Sequence, residues 1–341
     1  MIRAALLALL TILPLDARAQ SSPIETGTSA EFRAASAPSD SVVWAGGSGG
    51  VVARSIDAGT TWRVDTIAGA TDLFLVGIHA ADQDTAVVLG TGFETSAARI
   101  YRTEDGGASW TESYTDSRDG IFLDGLAFWE EGRGVAFGDP LDGVFVVLTT
   151  TDGGRSWSVV PDSVLPPALD GEAGFAASGR ALVTGPDGRA WFGTGGAERA
   201  RVFRTTDYGQ SWHAFPAPLP SGATAGIFAI AFRDTLNGIA VGGDHTQRTV
   251  PGDNVLRTID GGGTWTVVGG AQPAGVRYGA QFGRTGSDAV LIAVGPSGAG
   301  VSTDDGEHWT VLDRGHWNTV APRPDFGWLF GPDGRIMRVE W

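Results

Sequence analysis

One eight-residue pattern occurs six times in this chain, and its spacing limits the possible folds more than any other feature. The consensus is Ser/Thr-x-Asp-x-Gly-x-x-Trp, and the copies span 55–62, 103–110, 150–157, 205–212, 258–265 and 302–309. The pattern is typical of a turn between two strands, in which the Asp carboxylate accepts backbone N–H groups, Gly takes a positive φ and Trp packs over the hairpin. We therefore interpret the following residues as structural: Asp57, Asp105, Asp152, Asp207, Asp260, Asp304, Trp62, Trp110, Trp157, Trp212, Trp265 and Trp309.

The copies recur at the period of a four-stranded propeller blade. Successive Asp positions lie 48, 47, 55, 53 and 44 residues apart, which is too long for ankyrin or tetratricopeptide units. A short apolar run that ends in Gly precedes each copy, and a seventh run lies near the C-terminus. These runs cover 42–46, 86–90, 134–138, 190–193, 238–242, 291–295 and 327–331. Such runs suit strands that are buried on both faces between neighbouring blades. The sequence predicts an all-β, seven-bladed propeller.

The last blade lacks one strand in this interpretation. Residues 335–341 are predicted to form a third strand, and no copy of the eight-residue pattern follows them. An unpaired strand edge invites aggregation, so the ring needs a covering segment. The unassigned segment 22–30 is the spare candidate. We expect it to close the ring as the outermost strand of the last blade.

The first residues resemble a secretory signal peptide. Arg3 precedes an apolar stretch from Ala4 to Leu15, and Ala17-Arg18-Ala19 has the small-x-small form of a cleavage site. We expect residues 1–19 to be a signal peptide, residues 20–341 to form one propeller domain, and the protein to be exported to the periplasm or beyond the cell. The apolar stretch is short for a bilayer span, so we expect no membrane insertion.

Composition narrows the classes of partner. The chain has a formal net charge of −15 and no cysteine. An acidic chain is a poor partner for nucleic acid or anionic membranes. The lack of cysteine excludes disulfides and thiolate metal sites, and no His pair has zinc spacing. We therefore expect no metal and no cofactor.

The combined pattern of an apolar strand ending in Gly, then Arg-Thr or Arg-Ser, then the repeated turn resembles a known group of proteins. Matching units are 238–243 with 256–262, and 100–107. The pattern is similar to the Ycf48/HCF136-like photosystem II assembly and stability factors, within the wider class of BNR or Asp-box (sialidase-like) repeats. The resemblance implies an exported seven-bladed propeller that binds a protein client and is not a catalyst.

We expect functional residues on the face opposite the repeated turns. In a propeller, this face carries loops and blade connections around the central channel. Carboxylates, Arg, His and Tyr in these loops could bind a polar ligand, although each could equally have a local turn role. Asp139 and Asp142 could also hold a cation, but Asp before Pro or Gly favours a turn. The predicted ligand- or partner-binding set is Asp139, Asp142, Glu172, Asp244, His245, Arg277 and Tyr278.

The leading functional hypothesis is a non-catalytic scaffold that engages a protein or peptide at this face. One alternative is a secreted sialidase-like glycoside hydrolase, which would use an arginine triad and a Tyr nucleophile on a glycan. Arg118, Arg248 and Arg277 could supply that triad, and Tyr278 the nucleophile. A third hypothesis is a propeller that binds a small ligand at the same face. Among the tryptophans outside the repeats, we expect Trp129 and Trp317 to reach a ligand.

Overall fold

The computed structural model describes residues 23–24, 26–130 and 132–341. Seven antiparallel sheets follow one another along the chain, each with neighbouring strands in sequence order. The predicted seven-bladed all-β propeller is confirmed. The predicted signal peptide, residues 1–19, lies outside the described residues. Within the part of the chain that is described, no helix is long and apolar enough to cross a membrane.

Each blade except the last has four strands. Blade 1 contains β1 (Phe32–Ser36), β2 (Val43–Gly47), β3 (Val51–Ser55) and β4 (Arg63–Thr66). Blade 2 contains β5 (Phe74–Ala80), β6 (Ala86–Thr91), β7 (Ala98–Thr103) and β8 (Thr111–Asp116). Blade 3 contains β9 (Leu123–Phe128), β10 (Gly134–Leu141), β11 (Val144–Thr150) and β12 (Ser158–Val159), followed by a 3-10 turn at Asp162–Val164.

Blade 4 contains β13 (Leu182–Thr184), β14 (Ala190–Gly193), β15 (Ala200–Thr205) and β16 (His213–Ala217). Blade 5 contains β17 (Ala225–Phe232), β18 (Gly238–Asp244), β19 (Val255–Thr258) and β20 (Thr266–Gly269). Blade 6 contains β21 (Gly279–Thr285), β22 (Asp288–Gly295), β23 (Gly298–Ser302) and β24 (Thr310–Asp313). Blade 7 contains β25 (Thr319–Arg323), β26 (Phe326–Phe330) and β27 (Ile336–Glu340).

The seven apolar runs form the second strand of each blade. β2 and β6 are buried along their whole length, and Trp44 in β2, Trp191 in β14 and Trp328 in β26 are fully buried. Both faces of a second strand lie between neighbouring sheets. This explains why the runs are continuously apolar rather than alternating.

The six repeated turns, which we call the box turns, share one hydrogen-bond network. In blade 3, the Thr150 hydroxyl donates to Asp152 Oδ1 at 2.7 Å and accepts from the Gly154 N–H at 3.1 Å. The Ser156 N–H and hydroxyl both donate to the Asp152 carboxylate, at 3.0 and 2.6 Å. Gly154 has φ +81°, a conformation that costs glycine little. The carboxylate therefore joins the end of the third strand to the start of the fourth.

The same bonds stabilise the ionised form of the box carboxylates. In blade 2, the hydroxyl and N–H of Ser109 and the hydroxyl of Thr103 donate to Asp105 and lower its pKa to about 2. A carboxylate that accepts several hydrogen bonds is harder to protonate. The box turns therefore keep their charge and their bonds at any pH near neutrality.

Each box turn also packs on the blade that precedes it. A Cβ added at Gly59 would lie 2.6 Å from Trp328 Nε1, and one at Gly262 would lie 3.0 Å from Trp191 Nε1. The Arg before the repeat reaches across the same gap: Arg102 Nε donates to Gly153 O at 2.9 Å. The box glycine is thus required both for its positive φ and for close contact between blades.

Asp152→Ala removes the acceptor at the centre of one box turn. We expect the free energy of unfolding to fall by about 1 kcal/mol, because the turn lies at the surface and water replaces part of the lost bonding. Chemical denaturation would measure the loss. Asp253→Ala, at an exposed loop position, serves as the control. Wild-type stability in Asp152→Ala would contradict a structural role for the box carboxylate.

The predicted closure of the ring by an N-terminal strand is not confirmed. The last sheet has three strands, and the segment before β1 contributes one bridge, in which the Ile24 N–H donates to Ile336 O at 2.7 Å. Thr26 Oγ1 also donates to Gly334 O at 2.8 Å, and the Gly334 N–H donates to Ala30 O at 2.7 Å. Part of the predicted segment, Ser22 and Glu25, lies outside the described residues. The segment therefore touches the last blade without forming a regular fourth strand in the described residues.

Deletion of residues 23–30 tests how much these contacts stabilise the ring. We expect the free energy of unfolding to fall by about 2 to 4 kcal/mol, because two backbone hydrogen bonds, the Thr26 side-chain hydrogen bond and the buried Ala30 are lost from the edge of blade 7. Thermal and urea unfolding would measure the change. An unaltered melting temperature would show that the segment does not support the last blade.

Candidate binding site at the channel mouth

The geometry of the blades separates two faces. Because neighbouring strands are antiparallel, the box turns lie on one side of the ring, which we call the box face. The loops between second and third strands and the connections between blades lie on the other side, the mouth face. A cavity of about 380 Å³, the mouth cavity, opens at the channel on the mouth face. It is lined by Glu31, Arg33, Phe93, Phe175, Ala176, Ala177, Phe228, His245, Arg248, Tyr278, His316 and Pro332.

Arg33 anchors one side of the mouth cavity. Its guanidinium pairs with Glu31 at 3.0 Å and lies over the rings of Phe74 and Phe93, 4.5 and 5.3 Å from their centroids. A weaker bond reaches across the channel to Ala176 O at 3.5 Å. Phe93 remains 54% exposed, which is unusual for a phenylalanine on an ordinary surface. This side therefore presents an aromatic ring beside a paired charge.

A row of rings forms the opposite side. The Tyr278 ring lies 5.9 Å from Phe228 and 6.1 Å from His316, centroid to centroid. Burial raises the pKa of Tyr278, and burial lowers the pKa of His316. Both groups are therefore neutral near pH 7. His316 Nε2 is buried and has no hydrogen-bond partner among the described residues, so it can take one from a ligand.

The loop between β18 and β19 carries a cation of the site, Arg248. Asp244 Oδ1 accepts hydrogen bonds from the hydroxyls of Thr224 and Thr246 at 2.9 and 2.7 Å. These bonds lower the pKa of Asp244 to about 2, and the bond from Thr246 has the largest effect. This turn holds His245 and Arg248 at the rim. Within the described residues, Arg248 has no ion pair; its Nε donates to His245 O at 3.3 Å.

The structure brings only part of the predicted set to the mouth cavity. His245 and Tyr278 line it, and Asp244 organises the loop that carries His245. Asp142 lies at the exposed tip of the β10–β11 hairpin with φ +53°, which is a turn position. The binding roles of these residues stay predictions.

Glu172 and Arg277 are placed in the interior rather than at the surface. Glu172 forms a buried ion pair with Arg201 and accepts from Thr194 Oγ1 at 2.6 Å. Arg277 is fully buried, and its guanidinium donates to the carbonyl groups of Gly298 at 3.0 Å and Pro273. Both side chains join neighbouring loops, so we remove them from the candidate site.

Asp139 belongs to a buried pair of carboxyl groups. It accepts the Gly174 N–H at 2.7 Å, and burial raises its pKa to about 6. Asp124, fully buried on the adjacent strand, has no hydrogen-bond partner among the described residues at either oxygen. Burial and the nearby Asp139 raise the pKa of Asp124 well above its ordinary value. Asp124 is thus the neutral member of the pair near pH 7.

Two further expectations are corrected. Trp129 and Trp317 are buried, at 8% and 0% exposure, and their indole N–H groups donate to Arg189 O and Asp313 Oδ1. Neither ring reaches the mouth cavity. Among the described residues, no group of three or more His, Cys, Asp or Glu side chains has the arrangement of a metal site.

Sequence reasoning missed Glu31, Arg33, Phe93, Phe175 and Phe228. Phe93 follows the second strand of blade 2 and could have been found from the blade pattern. Arg33 and Phe228 lie inside first strands, and their first strands carry no marker comparable to the Gly that ends each second strand.

Asp124→Asn tests the buried carboxyl pair. Because their pKa values are raised, the two carboxyl groups of the folded chain keep protons that the unfolded chain releases near pH 4. The protonated pair therefore stabilises the folded chain at low pH. This stabilisation is lost as the pH rises through the folded pKa values. The neutral amide removes the share of this dependence that comes from Asp124, whereas the share of the buried Asp139 remains. We expect the stability of Asp124→Asn relative to wild type to increase as the pH rises from 4 to 8.

Urea unfolding at both pH values measures this difference. Asp142→Asn, in the same blade but exposed, is the matched control and should show no such trend. The difference in stability between Asp124→Asn and wild type should change from pH 4 to pH 8. The same difference at both pH values would contradict a raised pKa for Asp124.

Comparisons with known proteins agree at the level of fold. No protein-family model matches the chain, and no curated protein matches it in sequence. Among solved structures, the chain is similar to a structure of YCF48 bound to a D1 peptide, with a TM-score of 0.62 and 16% identity over 94% of this chain and 95% of that one. It is also similar to YCF48 from Cyanidioschyzon merolae, with a TM-score of 0.64 and 15% identity over 94% and 99% of the two chains.

Propellers of another repeat type match about as well. The Pan2 WD40 domain of Neurospora crassa has a TM-score of 0.63 and 12% identity, over 91% of this chain and 89% of that one. At such low sequence identity, the structural similarity applies to the backbone fold and not to the side chains. The chain is therefore similar in fold to YCF48 and to WD40 propellers over nearly its whole length.

Proposed function

We propose that this chain is an exported, non-catalytic propeller that binds a segment of a protein client at the mouth cavity. The observation that carries the proposal is the composition of that cavity. Exposed and half-buried aromatic rings stand beside a cation, Arg248, that has no ion pair in the described part of the chain. Aromatic residues and Arg are the groups most enriched at the centres of protein interfaces.

The shape of the site favours an extended segment. The cavity lies over the channel, and its walls come from blades on opposite sides of the ring, with Arg33 on blade 1 and Phe228 on blade 5. A segment that crosses the opening could place an apolar side chain on Phe228 and Tyr278. An acidic group on the same segment would pair with Arg248 at the rim.

The fold comparison supports a peptide ligand in a limited way. The YCF48 structure holds a D1 peptide, so a propeller of similar fold can bind one. For this chain, export rests on the signal-like residues 1–19, and a client would be a protein of the periplasm, the membrane surface or the outside of the cell. Mass spectrometry of the N-terminus of the exported protein would test the predicted cleavage after Ala19.

The glycoside hydrolase alternative has little geometric support. Its arginine triad would need Arg118, Arg248 and Arg277 to converge, but Arg277 is buried and Arg118 pairs with Asp116 at 2.7 Å. Of these three arginines, only Arg248 lines the mouth cavity. Burial raises the pKa of Tyr278, which opposes its activation as a nucleophile.

Peptide binding gives the test. Peptides selected from a displayed random library on the mature chain should bind more weakly, by roughly tenfold or more, to Tyr278→Ala and to Arg248→Ala, because the first loses an aromatic contact in the cavity and the second loses the charged pair at its rim. Fluorescence anisotropy measures the affinities. Asp142→Ala, at an exposed hairpin tip of the same face, is the matched control and should bind as wild type does.

Two outcomes would contradict the proposal. One is equal peptide affinity in all three variants. The other is robust release of sugar from a panel of glycans that depends on Tyr278, which would favour the enzyme. Melting temperatures near that of wild type must accompany the binding data for Tyr278→Ala and Arg248→Ala.

A further inference from the structure

The channel contains a second cavity, at the end that opens toward the box face. Its volume is about 230 Å³, and we call it the lower cavity. It is formed by the far ends of first strands, including Ser36 of β1 and Phe232 of β17. This cavity shares no lining residue with the mouth cavity. It is therefore a separate compartment of the same channel.

An arginine without a counter-ion lies in the lower cavity. Arg180, just before β13, reaches across the channel and donates to Ala35 O of blade 1 at 3.1 Å. No carboxylate lies within ion-pair distance of it in the described residues, and no Asp or Glu lines the cavity. Burial lowers the pKa of Arg180 to about 10, so the guanidinium remains charged at neutral pH. Arg180 is half-buried, and a charge that is partly removed from water normally has a partner of opposite sign.

The other polar groups of the lower cavity are neutral. The His79 ring stacks on Phe128 with centroids 4.4 Å apart, and burial, with a contribution from Arg180, lowers the pKa of His79 to about 4. Gln281 Oε1 is buried and has no hydrogen-bond partner among the described residues. Since the amide can rotate by half a turn, Gln281 can offer either its oxygen or its NH₂ to a ligand.

The rest of the lining combines the hydroxyl groups of Ser36 and Thr184 with apolar side chains, which include the rings of Phe232 and Phe282. One guanidinium with no second cation matches a single negative charge better than a doubly charged oxyanion. A guanidinium binds a carboxylate through two parallel hydrogen bonds. The volume, below the range of drug-sized sites, limits the ligand to a small molecule.

We propose that the lower cavity binds a small organic carboxylate, with its carboxylate on Arg180 and its apolar body against Phe232 and Phe282. The Gln281 amide donates to the same carboxylate. This site is independent of peptide binding at the mouth cavity, because the two cavities have different lining residues.

Calorimetric titration of the mature chain with benzoate tests the proposal. We expect benzoate to bind, and benzamide, its neutral analogue of the same shape, to bind at least roughly tenfold more weakly, because it cannot form a charged pair. Sulfate should not compete with benzoate. Absence of benzoate binding, equal binding of benzamide, or full competition by sulfate would each overturn the assignment.

Variants locate the site. Arg180→Gln should weaken benzoate binding by roughly tenfold or more. Arg248→Gln, which removes the guanidinium at the rim of the mouth cavity, is the matched control. It should leave benzoate binding unchanged. Loss of benzoate binding in Arg248→Gln alone would overturn the proposal by placing benzoate at the mouth.

A measurement on the wild-type chain covers the case in which Arg180→Gln does not fold. Crystals soaked in 4-bromobenzoate should show an anomalous bromine peak beside Phe232 and Phe282. A peak elsewhere, or no peak at all, would contradict binding in the lower cavity.

Discussion

The contact between each box turn and the preceding blade is the constraint on which the ring depends. A single four-stranded sheet of this size cannot bury both faces of its second strand, so it needs a neighbour on each side. The box glycine allows that neighbour to approach, as Gly59 does against Trp328 and Gly262 against Trp191. The carboxylate network holds the turn in shape while the glycine makes contact. Local turn chemistry and long-range packing therefore act at the same residues.

This arrangement leaves the other end of the blades free to carry function. The box face is occupied by repeated structural turns, whereas the mouth-face loops differ from blade to blade in length and composition. The β18–β19 loop, ordered by Asp244, presents Arg248 at the rim, and the connection before β21 presents Tyr278. The chain has a net charge of −15, yet two guanidinium groups in the channel, those of Arg248 and Arg180, have no counter-ion among the residues that the structure describes. Local charge, rather than net charge, then sets the preference for an anionic partner.

The periodic part of the molecule could be predicted from the sequence. Because every blade repeats one apolar run and six of the seven repeat the box turn, the spacing of the turns and the number of runs indicated seven blades. The loops after the second strands led to His245. The burial of Arg277 could not be predicted, because its acceptors are carbonyl groups of Gly275, Gly298 and Pro273 that come together only in the fold. Glu172 is similar, since its partner Arg201 lies 29 positions away. Arg33, inside a first strand, and Arg180, just before one, were not predicted because first strands carry no repeated marker.

Hydrogen–deuterium exchange of residues 20–341, with and without a selected peptide, tests the central claim most directly. Binding at the mouth cavity should slow exchange of backbone amides at 31–33, 175–177, 245–248 and 278, because these segments line the opening. Exchange in the six box turns should stay unchanged. Protection confined to the box face, with the mouth-face segments unaffected, would contradict the account.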